Sequence, residues 1–308
     1  MQNTYQKTLL QPISFEGIGL HSGKNCKVKL LPAKDNVGII FKRVDLKNKN
    51  IIKACYKNVS SAKLCTTLQN LDNVKVSTVE HLMAAFYITG VDNVLVEIDN
   101  SEVPIMDGSS KDFVDLINKN GLKILQSKRR FLKILKTIEL KDNEKSISIQ
   151  PNNNELNVEF QLAYNNEIIG NQKNLIKFNE QNLNDVYSSW TFCLYEDIEN
   201  IKKHGLAKGG SLDNAIVIKK ESILNEGGLR NKKEFVNHKI LDLAGDFLLS
   251  GYRILGNVKC VQGGHQLSNT FLKQLFSDNS NFAEIVLNNL NFIKKDFKTP
   301  VNKLAVNA

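Results

Sequence analysis

The chain has 308 residues with 42% hydrophobic content, which is enough for a sizeable core. Since a domain usually has about 100 to 200 residues, this length predicts two domains. The net charge of +9 suits an anionic partner, but no run of five or six basic residues supports nucleic-acid binding. The five cysteines form no CxxC pair, and we find neither the apolar core of a signal peptide nor a run of about 18 apolar residues. We therefore expect a cytoplasmic protein with reduced thiols and no stable membrane insertion.

A helix is predicted over residues 77–89, after a β-rich opening. Ser77 is its expected N-cap, and Glu80, three residues later, fits a capping box. His81 follows directly and is explained equally well as a satisfied first-turn histidine. The alternative is that Glu80 is a base beside a metal-ligating His81, which requires this helix to meet a second ligand-bearing helix.

The basic stretch at residues 128–130 follows a glycine-containing turn and is the best candidate for a domain junction. It divides the chain into an N-terminal domain, residues 1–127, and a C-terminal domain, residues 128–308. The other elements expected in the first domain are a strand over 91–98 and a helix from Ser109 or Ser110 to Asn118. In the second domain we expect strands over 131–140, 145–150, 156–163, 215–218 and 257–261, and helices over 196–203, 271–277 and 282–292.

The most informative stretch is residues 235–250, which predicts a helix that is apolar on nearly every side and therefore buried. Because an unpaired buried charge costs several kcal/mol, its polar residues should be paired or bound to a ligand. His238 and Asp242 are four residues apart, so both can reach one divalent ion, and Asp246 lies one turn further. A plain hydrogen-bonded His–Asp pair is the commoner explanation of this spacing. Gly245 indicates close approach of a backbone or a ligand.

One further histidine, His265, follows Gly263 and Gly264. We expect it to be exposed and mobile enough to act on a ligand, although a surface loop is the commoner setting. No single motif so far specifies a reaction. The motifs become specific when they are considered together and in order, as residues 17–23 (GIGLHSG), 77–82 (STVEHL), 102–109 (EVPIMDGS), 191–192 (TF), 209–217 (GGSLDNAIV), 238–246 (HKILDLAGD) and 263–265 (GGH).

This order of motifs closely resembles the zinc-dependent UDP-3-O-acyl-N-acetylglucosamine deacetylases of lipid A biosynthesis, over almost the whole chain. The resemblance implies an α+β fold of two similar two-layer domains, each a β-sheet with two helices on one face, with the helices packed between the two sheets. It also implies a hydrolase of a linear amide bond whose products are UDP-3-O-acyl-glucosamine and acetate. The site would lie where the two domains meet.

The resemblance assigns a role to each motif residue. It implies one Zn²⁺ per chain, or Fe²⁺ in the cell, bound by His81, His238 and Asp242 with one position open for chemistry. Glu80 would be the general base and His265 the cationic partner, but which of them protonates the leaving amine stays open. The remaining assignments are Asp246, which would orient His265, and Thr191 and Lys239, which would stabilise the oxyanion.

The substrate assignments also follow from the resemblance. Ile168 and Ile169 fall where the family has an insertion that forms an apolar passage for the 3-O-acyl chain, and Leu64 and Phe192 should line the route to it. Trp190, Asn237 and Gln262 stand where the family commonly has arginine or lysine. The contacts to the uridine diphosphate are therefore expected to use Lys239, Lys259 or other lysines.

Two rival hypotheses remain. The first is another metal-dependent amidohydrolase acting on a nucleotide sugar, which would share the metal site and differ in substrate. The second is a basic nucleic-acid-binding protein with a structural zinc, which would need four protein ligands and a basic stripe that the sequence lacks. For the C-terminal tail, residues 304–308, we expect mobility and a possible role as the recognition site of a regulatory protease.

Overall fold

The computed structural model describes residues 4–179 and 182–287. Within these ranges the helices are α1 (Glu80–Thr89), α2 (Lys111–Asn120), α3 (Asn184–Tyr187), α4 (Tyr195–Lys203), α5 (Glu234–Leu248) and α6 (His265–Leu275). The strands are β1 (Tyr5–Leu9), β2 (Ile13–Ile18), β3 (Asn25–Pro32), β4 (Ile39–Arg43), β5 (Ile51–Lys53), β6 (Val59–Ser61), β7 (Thr67–Gln69), β8 (Lys75–Val76), β9 (Val94–Ile98), β10 (Leu122–Lys128), β11 (Arg130–Ile134), β12 (Ile138–Asp142), β13 (Lys145–Pro151), β14 (Leu156–Ala163), β15 (Asn171–Lys177), β16 (Phe192–Leu194), β17 (Ile216–Lys219), β18 (Ser222–Ile223), β19 (Arg253–Val261) and β20 (Phe282–Val286).

The two large sheets share one strand pattern. In the first, the order is β2-β3-β9-β4-β5, and β9 and β4 are its parallel pair. In the second, β12-β13-β19-β14-β15 repeats this order, with β19 and β14 parallel. Strand β11 is added beside β19, and β20 pairs with β11. Residues alternate between buried and exposed along β3 and β14, as expected for strands with one face on a core. The prediction of an α+β fold is confirmed.

Helices α1 and α5 lie in the core and pack directly on each other. All residues of α5 except Lys239 are buried, as the apolar sequence predicted. A Cβ atom at Gly245 would lie 2.1 Å from the Glu80 carbonyl oxygen, so the predicted close approach is made by the backbone of α1. This contact brings the Glu80–His81 pair of one helix next to the ligand face of the other.

The start of α1 differs from the prediction. The helix begins at Glu80, because Thr78 has a positive φ of 54° that a right-handed helix cannot include. Ser77 is therefore not the N-cap, and its hydroxyl donates to the Ser101 carbonyl oxygen. The capping-box explanation of Glu80 is wrong.

Three other predicted elements differ in the structure from the sequence prediction. The single strand over residues 131–140 is two strands, β11 and β12. Helix α6 begins at His265 rather than near residue 271. The helix predicted over residues 282–292 is wrong in its described part, because β20 pairs with β11 and this pairing overrides the local preference. Residues 288–308, including the tail at 304–308, lie outside the described residues.

The division of the chain at residue 127 stays a prediction. Strand β10 crosses that position and pairs with β1, so the N-terminal strand and the junction form one small sheet. None of the described helices has the length and apolar composition needed to cross a bilayer.

Candidate metal centre

Three buried side chains converge where α1 meets α5. His81 is provided by α1, and His238 and Asp242 by α5, and one ligand atom of each lies within 4.8 Å of the others. The Nε2 atoms of His81 and His238 are 3.4 and 3.5 Å from Asp242 Oδ1. The i, i+4 spacing on α5 places two of these side chains on one face, and the helix crossing adds the third.

These side chains fit a divalent metal ion. Asp242 Oδ1 is buried without a hydrogen-bond partner in the described part of the chain, which is costly unless a cation satisfies it. Burial lowers the pKa of His238 to about 3, so its imidazole is in the neutral, ligating form. Burial alone would raise the pKa of Asp242, but the adjacent imidazoles and the Lys239 ammonium hold it well below its usual range. Two imidazoles and one carboxylate are a set that suits zinc and similar ions.

Beside the metal ligands lies a second buried group made of Glu80, Thr66, Asp246 and His265. The Thr66 backbone N–H donates to Glu80 Oε2 at 3.0 Å, and the Thr66 hydroxyl donates to Asp246 Oδ1 at 2.7 Å. Asp246 Oδ2 lies 2.9 Å from His265 Nδ1, and His265 Nε2 lies 3.6 Å from Glu80 Oε1. Because Asp246 occupies Nδ1, the Nε2 atom of His265 is directed at Glu80.

The protonation states in this group favour a base and a cation side by side. Burial raises the pKa of the Glu80 carboxyl above its usual value. Burial alone would lower the pKa of His265, but the carboxylates of Asp246, Glu80 and Asp242 raise it to about 10. His265 is thus an imidazolium at neutral pH. Its predicted exposure is wrong: it is buried, because it begins α6 and its ring bonds to Asp246.

Lys239, Thr191 and Phe192 lie around the same ligands. Lys239 Nζ donates to Asp242 Oδ2 at 3.0 Å and lies 5.6 Å from the Phe192 ring centroid. Burial opposes the charge of Lys239, but Asp242 raises its pKa above the ordinary value. The Phe192 ring also meets the His238 ring at a centroid distance of 6.4 Å. Thr191 precedes Phe192 and is partly exposed, with its backbone N–H fixed by the Gly108 carbonyl.

The predicted acyl-passage residues occupy two places. Leu64 is 45% exposed and lies two residues before Thr66. Ile168 and Ile169 lie in the turn between β14 and β15, where Ile169 belongs to the core. Tyr164, at the start of that turn, has its ring 6.1 Å from that of Phe192. The turn is thereby linked to Phe192 through Tyr164.

Thr66 and the backbone of Ser189 were not predicted from the sequence to belong to the site. Thr66 connects Glu80 to Asp246, although it is 180 residues from Asp246 in sequence. The Ser189 carbonyl is 3.0 Å from His238 Nδ1, which leaves Nε2 for the metal. A threonine and a main-chain carbonyl carry no sequence signal of such roles.

Comparisons with known proteins identify the family of this chain. The profile of the family described as LpxC, UDP-3-O-acyl N-acetylglycosamine deacetylase, matches residues 6–277. The chain belongs to this deacetylase family. Relatives named UDP-3-O-acyl-N-acetylglucosamine deacetylase include those of Syntrophotalea carbinolica (40% identity, covering 89% of this chain and 88% of the relative), Haemophilus ducreyi (41%, 91% and 92%) and Geotalea uraniireducens (41%, 89% and 89%).

The deacetylase family is metal-dependent, and the His81, His238 and Asp242 cluster is a possible site for the ion. The three positions that lack the usual basic residue have structural contacts instead. Trp190 Nε1 donates to Asp107 Oδ2 at 3.0 Å. Asn237 is buried and accepts from Asn174, and the Gln262 amide bonds to the backbone of Ala163.

Proposed function

We propose that this chain removes the N-acetyl group of UDP-3-O-acyl-N-acetylglucosamine by hydrolysis, as a step of lipid A biosynthesis, and releases acetate and the free amine. The observation that carries the proposal is the pair formed by Glu80 and protonated His265, 3.6 Å apart, beside three converging metal ligands. A carboxylate and an imidazolium beside an open metal position form an arrangement suited to amide hydrolysis.

Zinc is the ion we propose, held by His81, His238 and Asp242. When bound there, it would act as a Lewis acid toward the amide carbonyl and lower the pKa of a water molecule. Two nitrogen donors and one oxygen donor suit zinc, and ferrous iron accepts the same set. Metal analysis of protein purified without added metal decides between these two ions.

The proton transfers are assigned to Glu80 and His265. Glu80 Oε2 is held by the Thr66 N–H, so Oε1 is the atom that accepts a proton from the attacking water. The raised pKa of Glu80 favours this task, because a base works best when its pKa approaches the working pH. His265, held at Nδ1 by Asp246, presents Nε2–H to the developing oxyanion and to the leaving nitrogen. Lys239 and Thr191 are proposed to share in stabilising the oxyanion.

We propose separate binding regions for the acyl chain and for the diphosphate of the substrate. We place the acyl chain against Phe192, Leu64, Ile168 and Ile169, since burial of the chain against apolar side chains would select an acylated substrate. The lining of a cavity of about 360 Å³ beside His265 includes Lys63, Lys141 and Lys145 together with Asp142. We assign this cavity to the diphosphate, whose negative charge the three lysines would balance.

A deacetylation assay with acylated and non-acylated UDP-N-acetylglucosamine tests the substrate. We expect turnover of the acylated sugar and a loss of at least about 100-fold in kcat/KM without the acyl chain, since burying several methylenes contributes about 0.8 kcal/mol each. Equal turnover of both would favour the other amidohydrolase acting on a nucleotide sugar.

The metal ligands are tested by His81→Ala, His238→Ala and Asp242→Ala. Each should lower metal content and abolish turnover, because the open site has three protein ligands. His204→Ala, at an exposed histidine of the same chain, is the matched control and should retain both. Full metal content and normal turnover in any of the three ligand variants would contradict the assignment.

The role of Glu80 is tested by Glu80→Gln, which keeps the side-chain shape and removes the basic carboxylate. The variant should bind metal normally and lose about 10²-fold or more in kcat, the scale expected for a positioned base. Ser77→Ala is the control, since its hydroxyl donates to the Ser101 carbonyl and, within the described residues, makes no bond to Glu80. A near-normal kcat in Glu80→Gln would rule out Glu80 as the base.

A further inference from the structure

The peptide bond between Ser189 and Trp190 is held at both ends by side chains of α5. Its carbonyl oxygen lies 3.0 Å from His238 Nδ1, and since a carbonyl can only accept, Nδ1 carries the proton. Its N–H, on Trp190, donates to Glu234 Oε1 at 3.0 Å. Glu234 and His238 are four residues apart on α5, so one helix face contacts both ends of one peptide unit.

We propose that Glu234 is a positioning residue for the metal ligand His238 and acts through this peptide unit. A carboxylate that accepts from a peptide N–H polarises the peptide and makes its carbonyl a stronger acceptor. The stronger acceptor fixes the His238 ring with Nε2 toward Asp242 and makes Nε2 a better donor to a metal. The inference rests on the metal site proposed above and extends it by one residue.

The burial of Glu234 needs such an explanation. The side chain is fully buried, and a buried carboxylate is costly unless it is paired and hydrogen-bonded. Arg230 provides part of the pairing: its backbone N–H donates to Oε2 at 2.7 Å and its guanidinium to Oε1 at 2.8 Å. These bonds explain how the charge is tolerated at the start of α5. The hydrogen bond from the Trp190 N–H connects Glu234, through the Ser189–Trp190 peptide unit, to the proposed metal ligand His238.

Other contacts make the Ser189–Trp190 unit rigid enough to transmit an orientation. Ser189 is fully buried, and its hydroxyl bonds to the Asp185 carbonyl. The Trp190 ring lies 3.3 Å from the Arg230 guanidinium carbon, and its Nε1 donates to Asp107. A peptide fixed on both sides cannot turn away from His238 without breaking several contacts. The His238 ring is therefore oriented before any metal arrives.

The experiment measures zinc affinity by competition with a chromogenic chelator, together with the Tm of the metal-stripped protein. Glu234→Gln keeps one acceptor oxygen but removes the charge, and we expect zinc affinity to fall about 10- to 100-fold, as for other outer partners of ligating histidines. Glu234→Asp retains the charge with a shorter reach and should restore part of the loss. If Glu234→Gln does not fold, the zinc affinity of Glu234→Asp is measured instead, and we expect it to fall about 3- to 10-fold.

Asp92→Asn is the matched control. Asp92 is also a largely buried carboxylate that accepts from a backbone N–H, that of Lys7, and from an arginine, Arg129, but it does not contact a metal ligand. It should lower the Tm and leave zinc affinity within about two-fold, since its bonds are remote from the ligands. Unchanged zinc affinity in the folded Glu234 variants, whatever their Tm, would refute the positioning role. If His81→Ala, His238→Ala and Asp242→Ala also kept their zinc, the metal site itself would be wrong.

Discussion

Replacing Gly245 by alanine tests the contact that assembles the site. The added Cβ would lie 2.1 Å from the Glu80 carbonyl oxygen and 3.0 Å from the Ala84 nitrogen. Both are backbone atoms of α1 and cannot rotate away, so the two helices must separate by about 1 Å to restore normal contact. Overpacking of this kind costs about 3 kcal/mol at the upper end of its range, and the better helix propensity of alanine returns about 1 kcal/mol.

The net loss is therefore about 2 kcal/mol, which corresponds to a fall in Tm of about 3 °C for a chain of this size. Activity should fall further than stability alone explains, because Glu80 is on the helix that moves and a misplacement of about 1 Å can cost 10²-fold. Calorimetry and a deacetylation assay measure the two effects. Gly210→Ala is the control, since that exposed residue has its nearest neighbour at an ordinary 3.4 Å. An unchanged Tm and kcat/KM in Gly245→Ala would refute the close contact.

Three further outcomes are expected. Thr66→Val removes the 2.7 Å hydrogen bond to Asp246 while keeping the side-chain volume, and should cost about 1–3 kcal/mol in chemical denaturation and lower kcat. In the metal-stripped protein, the folded state holds the His265 proton more tightly than the unfolded chain, whose pKa is near 6.5. This stabilisation is complete below about pH 6.5 and is lost as the pH rises toward 10. The Tm of the metal-stripped protein should therefore fall between about pH 6.5 and 10, and the Tm of His265→Gln should fall less over the same pH range. Asp92→Asn removes the carboxylate charge beside the Arg129 guanidinium and should cost about 3 kcal/mol, the lower end of the range for breaking a buried pair. Chemical denaturation measures this loss, and a change within error would show that the ion pair contributes little to stability.

The sequence by itself determined the local relations within single helices. It predicted that the helix over 235–250 is buried, because apolar residues surround it, and that His238 and Asp242 share a face, because four residues make about one turn. It also predicted close approach of a backbone or a ligand at Gly245, and the structure has the backbone of α1 there. The α+β class and the deacetylase family followed from several motifs in a fixed order, and both are confirmed.

Other local predictions were wrong where tertiary contacts competed with local preference. Glu80 sits three residues after Ser77 as in a capping box, yet its carboxylate accepts from Thr66, in a distant segment. His265 follows two glycines as in a surface loop, yet Asp246 binds it in the interior. Residues 282–286 form a strand because β11 offers a partner edge.

Only the tertiary structure decided which groups connect these helices. The hydrogen bond between Thr66 and Asp246 joins residues that are 180 positions apart in sequence. The Ser189 carbonyl and His238, which it contacts, are 49 positions apart. Residue spacing specifies neighbours within one helix, because the backbone geometry is fixed there. Between segments, neighbours depend on how the helices and sheets pack, and a threonine hydroxyl or a peptide carbonyl has no sequence pattern that reveals its partner. The proposed metal ligands could thus be named from their motifs, whereas the groups that contact them could not.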